Sequence, residues 1–97
     1  QYDDVTLHGG TFQLRRNGEA VTLPKLEYRL MEVLIRNQGI YLSSEDLLVK
    51  VWGYNTEAEL GTVWVYLSYL RKRLAKLGSR VKIKGRRGIG YTLEVGQ

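Results

Sequence analysis

The sequence contains no cysteine and only one proline, one histidine and one methionine. Without cysteine, the chain can form neither a disulfide nor a thiolate metal site. One histidine and scattered carboxylates do not supply the converging acid, base or metal ligands of an enzyme, so we expect no catalysis, metal or cofactor. No apolar run approaches the roughly 20 residues of a membrane-spanning helix, and no signal-peptide pattern opens the chain. The 97 residues suit one small domain that folds around its own core.

Acidic residues are almost missing from the C-terminal part of the chain. Residues 61–97 contain nine Lys/Arg and a single acid, Glu94, whereas residues 1–60 contain six Lys/Arg and nine Asp/Glu. The formal net charge of +5 therefore combines −3 in the first part with +8 in the second. Positive charge gathered in this way favours a polyanionic partner.

The N-terminal residues have the pattern of a small antiparallel meander. Apolar and polar residues alternate over residues 5–7, 11–14 and 20–23, which indicates three short strands. Asn17-Gly18 predicts a two-residue hairpin turn, because both central positions of a type I′ turn need a positive φ.

Two helices are predicted after Pro24. The first has an apolar stripe and should end near residues 37–39, where Gly39 suits a left-handed cap. The second should begin at Ser43, because a serine cap with Asp46 three residues later is a variant of the capping box. Gly53 should end this second helix. The apolar stripe of the first helix consists of Leu26, Leu30, Met31, Leu34 and Ile35.

A third helix is predicted over residues 62–77. Its apolar residues step by four and three positions and fall within about 80° of one another, so one narrow stripe should be buried. This stripe consists of Val63, Leu67, Leu70, Leu74 and Leu77. The opposite side carries Val65, Ser68, Tyr69, Lys72 and Lys76, with Thr62 and Tyr66 at its margin. Arg71 and Arg73 flank the stripe, and for Arg73 we expect an ordinary solvated charge.

The segment KIKGRRGIGYTLE, residues 82–94, is predicted to form a hairpin with a glycine-rich basic tip. Such a tip could hold a nucleotide, single-stranded RNA or the backbone of duplex DNA. It lacks the order and the strand-to-helix context of a P-loop. Its Gly-x-x-Gly, residues 85–88, resembles the RNA clamp of KH domains, but that clamp joins two helices and this one joins two strands. A hairpin after a short helix and a longer helix favours a winged helix-turn-helix that binds duplex DNA; an RNA-binding or a purely protein-interaction module is the alternative.

Four sequence blocks also resemble one known family. They are LSSEDLL (42–48), VWGY (51–54), VYLSYLRKRL (65–74) and RGIGY (87–91). In their order and spacing they resemble the DNA-binding effector domain of OmpR/PhoB-type bacterial response regulators. The resemblance covers nearly the whole chain and implies an α+β winged helix-turn-helix. The implied elements are a four-stranded antiparallel N-terminal sheet, three helices and a C-terminal β-hairpin wing.

The resemblance also implies partners. Members of the family are cytoplasmic transcription factors that bind direct-repeat operators as head-to-tail dimers, and phosphorylation of a separate receiver domain promotes that dimerisation. Residues 1–97 would be the effector domain alone, and a first residue other than methionine suggests a segment of a longer protein. The loop between the second and third helices resembles a proposed contact with RNA polymerase. Its residues are Tyr54, Asn55, Thr56, Glu57 and Glu59.

Site residues are carried over from the family position by position. The base-facing positions are Val65, Ser68 and Tyr69, and the cation Lys72 shares their face. The positions that contact DNA phosphates are Thr62, Tyr66 and Arg71, together with Trp52. Arg87 matches a wing arginine that enters the minor groove, and Arg86 lies beside it.

The chain departs from the family at three positions of the third helix. Arginine is frequent where this chain has Ser68 and Tyr69, so bidentate recognition of guanine is missing there. We therefore expect a softer, more apolar and water-mediated readout. Trp64 replaces a usual acidic residue, and for it we expect either packing or a partner contact.

Overall fold

A computed structural model describes residues 1–96 of the chain. In chain order the elements are β1 Thr6–His8, β2 Gln13–Arg16, β3 Glu19–Thr22, α1 Lys25–Arg36, α2 Ser44–Leu47, α3 Leu60–Lys76, β4 Val81–Arg86 and β5 Gly90–Val95. A π-helical turn, Leu48–Trp52, directly continues α2. The predicted α+β organisation with three helices and a C-terminal hairpin is confirmed.

The N-terminal sheet contains three strands in the order β1-β2-β3, all antiparallel. Asn17 and Gly18 have φ values of 50° and 82°, as the predicted tight turn requires. The second strand starts at Gln13 instead of residue 11, because the chain turns at Phe12 with a φ of 53°. The expected fourth strand is not confirmed within residues 1–96: near the N-terminus Tyr2 and Val5 form only an isolated bridge.

The core lies where α3 packs against α1 and the hairpin. The buried leucines of α1 follow one helical face, as predicted from their spacing. In α3 the predicted stripe is confirmed, with Val63, Leu67, Leu70 and Leu74 buried. Each fully buried leucine stabilises the fold by about 1.5–3 kcal/mol. This burial fixes the rotation of α3 about its axis and thereby selects the residues that face outward.

The start of α2 is connected to the hairpin by main-chain hydrogen bonds. Ser43 caps α2 in a full capping box with Asp46, as predicted. Just before the cap, the N–H of Leu42 donates to the carbonyl of Tyr91 at 2.9 Å, and the reverse bond is 2.8 Å. Gly90 lies beside this bridge, and a Cβ on it would clash with the carbonyl oxygen of Leu42. The glycine at position 90 is therefore required by the chain's own backbone.

Asp4 joins the N-terminal segment to the region that follows α3. Its carboxylate accepts hydrogen bonds from Ser79 Oγ at 2.6 Å, from the backbone N–H of Arg80 at 3.0 Å and from Arg16 Nε at 3.0 Å. Partial burial alone would raise the pKa of Asp4, but these hydrogen bonds and the charge of Arg16 lower it from the usual 3.8 to about 2. The ionised form is therefore the one that stabilises the fold.

We predict that Asp4→Asn lowers the free energy of unfolding at pH 7 by about 1–3 kcal/mol, because a charged acceptor of three hydrogen bonds is lost. A depressed pKa contributes stability above pH 4 that disappears as the pH falls towards 2. The variant should therefore lose less stability than the wild type between pH 4 and pH 2. Urea unfolding at both ends of that range measures the difference. Glu19→Gln is the control, since Glu19 is exposed and has no ion pair within residues 1–96. Equal urea unfolding curves for Asp4→Asn and the wild type would contradict the prediction.

Candidate nucleic-acid interface

The outward side of α3 presents the residues that the sequence predicted for base contact. Val65 is 46% exposed and Tyr69 is 42% exposed. Ser68 and Lys72 are exposed on the same face, and Lys76 continues it by one turn. The spacing of three and four residues brings these side chains together on one side of the helix, opposite the buried stripe.

Aromatic rings connect this face to the π-helical turn that follows α2. The rings of Trp52 and Tyr66 meet edge to face with centroids 5.2 Å apart, and those of Tyr66 and Tyr69 are 5.4 Å apart. Trp52 and Tyr66 are half-buried against the core, and Thr62 is half-buried in the first turn of α3. Such contacts restrict the rotamers of the tyrosines, so Tyr69 projects from a preorganised support.

Arg71 connects α3 to the first strand of the hairpin. Its Nε and Nη2 atoms both donate to the carbonyl oxygen of Ile83, at 3.3 and 3.0 Å. A guanidinium has five N–H donors, so three remain for another acceptor such as a phosphate. Arg71, which is predicted to contact a DNA phosphate, therefore also holds the first strand of the hairpin against α3.

Arg73 is not the solvated charge that we expected. Its guanidinium donates to both carboxylate oxygens of Glu27, at 3.1 and 3.4 Å, and the Glu27 side chain is only 5% exposed. Glu27 lies three and seven residues before Leu30 and Leu34, which places it on the buried stripe of α1. This spacing was the sequence signal for a buried acid in need of a cation.

The hairpin of β4 and β5 carries the remaining cations of the site. Arg86 pairs with Gly90 across the last rung, and the N–H of Ile89 donates to the carbonyl of Arg86 at 2.9 Å to close the tip. Arg86 and Arg87 are exposed, and neither has an ion pair within residues 1–96. Lys84 lies 3.8 Å from Glu94 in an exposed pair.

Trp64 lies in the groove between α3 and the hairpin tip. This groove has a volume of about 550 Å³ and is bounded by the start of α2 and residues 85–91. The indole Nε1 of Trp64 donates to Ser44 Oγ at 3.0 Å, yet the side chain is 52% exposed. Trp64 thus makes a contact within the domain, and about half of its surface remains free.

The loop after the π-helical turn is open to solvent. Gly53 begins it with a φ of 102°, and Tyr54 is 88% exposed. Glu57 and Glu59 are exposed as well, whereas Thr56 is half-buried and its Oγ1 accepts the N–H of Ala58 at 3.0 Å. Asn55 completes the exposed part of the loop. The residues predicted to contact polymerase therefore form a surface segment of their own, in a loop distinct from the outward face of α3 and from the hairpin.

Residues 1–96 contain no group of three or more metal-binding side chains. None of their helices combines the length and the apolar character of a membrane span.

Comparisons with known proteins agree on one family. A family model described as "Transcriptional regulatory protein, C terminal" matches residues 18–93. The response regulator ArlR of Staphylococcus epidermidis is 39% identical over 89 residues, or 92% of this chain and 41% of ArlR. The chain thus spans about two fifths of the length of the curated relatives it matches.

Two solved structures share the fold over almost the whole chain. The DNA-binding domain of Escherichia coli CadC has a TM-score of 0.89 and 27% identity, covering 98% of this chain and 90% of that one. The Klebsiella pneumoniae RstA DNA-binding domain, solved in complex with the RstA box, has a TM-score of 0.76 and 25% identity, covering 95% and 92%.

We predict that Arg73→Gln lowers the free energy of unfolding by about 2–3 kcal/mol, because the buried Glu27 carboxylate loses its charged partner. The value lies below the usual 3–5 kcal/mol because the Arg73 side chain is 34% exposed. Lys72→Gln is the matched control: it removes the same charge from the neighbouring exposed position and should change stability by less than about 0.5 kcal/mol. Thermal or urea unfolding compares the two. Equal destabilisation would show that the ion pair is unimportant.

Proposed function

The chain belongs to the OmpR/PhoB-type family of response-regulator DNA-binding domains, and on that basis we propose that residues 1–97 are an effector domain that binds duplex DNA sequence-specifically. In this proposal α3 enters the major groove and the hairpin is a wing at the minor groove. A helix about 10–12 Å across fits the major groove, where all four base pairs are distinguishable. A thin hairpin with exposed arginines suits the narrower groove.

One observation carries the proposal: the exposed face of α3 and the basic hairpin adjoin each other in the part of the chain with a net charge of +8. Arg71 joins these two elements directly. Arg86 and Arg87 lie at the tip with their charges exposed. On a duplex, a helix can lie in the major groove while an adjoining hairpin contacts the neighbouring minor groove. A positively charged surface that carries both elements therefore matches the shape and the charge of DNA.

The proposed residue roles are those carried over from the family, and the exposure of the α3 face and of the hairpin tip supports them. Val65, Ser68, Tyr69 and Lys72 face the base edges, and Arg87, with Arg86 beside it, enters the minor groove. The phosphate contacts come from Trp52, Thr62, Tyr66 and Arg71. Hydroxyl and indole N–H donors fix the register of the protein on the backbone and carry no sequence information themselves.

Partners beyond DNA are proposed from family membership. The full-length protein would join this domain to a receiver domain, act in the cytoplasm and bind direct repeats as a head-to-tail dimer. The loop residues Tyr54, Asn55, Thr56, Glu57 and Glu59 would contact RNA polymerase. The exposure of Tyr54, Asn55, Glu57 and Glu59, with two carboxylates among them, suits a basic protein surface.

We predict that selection from a random duplex pool recovers two copies of one half-site in direct repeat, about one helical turn apart. One turn is the spacing at which two domains bind the same face of the duplex. Sequencing of the bound pool measures half-site and spacing together. A single unrepeated site would contradict tandem binding, and enrichment of no sequence would contradict sequence-specific binding.

We predict that affinity for the selected duplex falls steeply with salt. If Arg71, Lys72, Arg86 and Arg87 each displace about one counterion from the duplex, log K should fall with log salt at a slope of about −3 to −4 for one domain. Fluorescence anisotropy from low to physiological salt measures the slope. Single-stranded RNA of equal length is the comparison. Equal affinity for that RNA across the range would favour the RNA-binding alternative, and binding to neither would favour a protein-interaction module.

We predict that Arg87→Ala weakens binding about ten-fold when the wing faces an A·T-rich flank and less when that flank is G·C-rich, because A·T-rich minor grooves are narrower and more negative. Arg15→Ala is the control, since it removes the same charge from an exposed position of β2. Anisotropy titrations with both duplexes measure the difference. The same loss for Arg15→Ala, or no preference between flanks, would contradict minor-groove insertion.

A further inference from the structure

Charge is divided unevenly along α3. The eleven residues from Leu60 to Leu70 contain no ionisable acid or base except tyrosine hydroxyls, whereas Arg71, Lys72, Arg73 and Lys76 crowd the rest of the helix. In helix-turn-helix proteins it is the N-terminal part of the recognition helix that contacts base edges. The part of α3 that would lie deepest in the groove is therefore uncharged.

The exposed side chains of that uncharged part limit what it can recognise. Bidentate readout of guanine needs arginine or lysine, and bidentate readout of adenine needs asparagine or glutamine. Val65, Ser68 and Tyr69 offer instead two methyl groups, two hydroxyls and one aromatic ring. The base-edge feature that matches exposed methyl and ring carbons is the C5-methyl group of thymine.

We propose that Val65 and Tyr69 select thymine by packing against its C5-methyl group in the major groove. This inference rests on the proposed function, because it assumes that α3 lies in that groove. The surface is available: 46% of Val65 and 42% of Tyr69 are exposed, although their neighbours Leu67 and Leu70 are buried. The Tyr69 hydroxyl can in addition donate to thymine O4.

Contacts with neighbouring rings hold the side chain of Tyr69 in place before a base approaches. Its ring meets that of Tyr66 at 5.4 Å, and Tyr66 in turn meets Trp52, which packs on the core. A ring held in this way loses little rotamer freedom when a base approaches. Val65 has a similar advantage, since a valine in a helix has one strongly preferred rotamer.

Removal of the thymine methyl tests the proposal directly. In the selected duplex, the thymines facing α3 are replaced by 2′-deoxyuridine, which pairs identically and lacks only the methyl group. We expect the Kd to rise about four-fold for each methyl group contacted, since burial of one methyl-sized group contributes about 0.8 kcal/mol. The same number of uridines placed outside the contacted bases is the control duplex, and its Kd should not change.

Protein variants assign the effect to residues. For Val65→Ala the uridine duplex should bind almost as well as the thymine duplex, because the partner of the methyl group is gone. Tyr69→Ala should act in the same way at a neighbouring base, whereas Tyr69→Phe should keep the methyl preference. Lys76→Ala is the matched control: it should weaken binding to both duplexes and leave their ratio unchanged. Alanine is favourable at an exposed helix position, so these variants should fold.

The outcomes separate this inference from the proposed function. Salt-sensitive binding to the selected duplex with equal Kd values for thymine and uridine would overturn methyl recognition and leave DNA binding intact. A selected half-site without thymine opposite α3 would overturn it as well. A thymine-to-uridine ratio that Val65→Ala and Tyr69→Ala both leave unchanged would show that other residues contact the methyl groups. Absence of duplex binding would overturn the proposed function itself.

Discussion

The buried stripe of α3 is the constraint on which the rest of the structure depends. Val63, Leu67, Leu70 and Leu74 are removed from water against α1 and the hairpin. A rotation of α3 by one residue, about 100°, would expose several of these side chains at a cost of about 1.5–3 kcal/mol each. The outward face is therefore determined by the inward one. The same burial that stabilises the domain selects Val65, Ser68 and Tyr69 for the surface.

The hairpin is held by two further connections besides its contact with that stripe. The main chain of Leu42 pairs with Tyr91 where only a glycine fits at position 90. Arg71 links α3 to the carbonyl of Ile83 on the other strand. Thus β5 is attached to the segment just before α2, and β4 is attached to α3. These attachments fix the distance between α3 and the hairpin. On the proposed interface they therefore determine which minor groove the hairpin reaches when α3 lies in the major groove.

The features predictable from the sequence are those encoded over a few residues. The Asn17-Gly18 turn, the capping box of Ser43 and the leucine stripe of α3 depend on neighbours within one or two helical turns, and all three are confirmed. The sequence did not reveal pairings between distant residues. Asp4 bonds to Ser79, 75 residues away, and Glu27 to Arg73, 46 residues away. Charge patterning within α3 could not distinguish Arg73 from its solvated neighbours, because the deciding acid lies on α1.

In many DNA-binding proteins a single arginine supplies both affinity and base preference. The division of charge along α3 separates these two properties. On the proposed interface the cations of the hairpin and of the C-terminal half of α3 supply affinity through the release of counterions, which depends on salt and not on base sequence. The uncharged half, with Val65 and Tyr69, supplies base preference through contacts that salt hardly affects. Specificity and affinity then reside largely in different residues; the exceptions are Arg87, which prefers an A·T-rich flank, and Lys72, which shares the base-facing side of α3. A change in the number of cations alters the affinity for duplexes in general, whereas a change at the uncharged face alters which duplex is preferred.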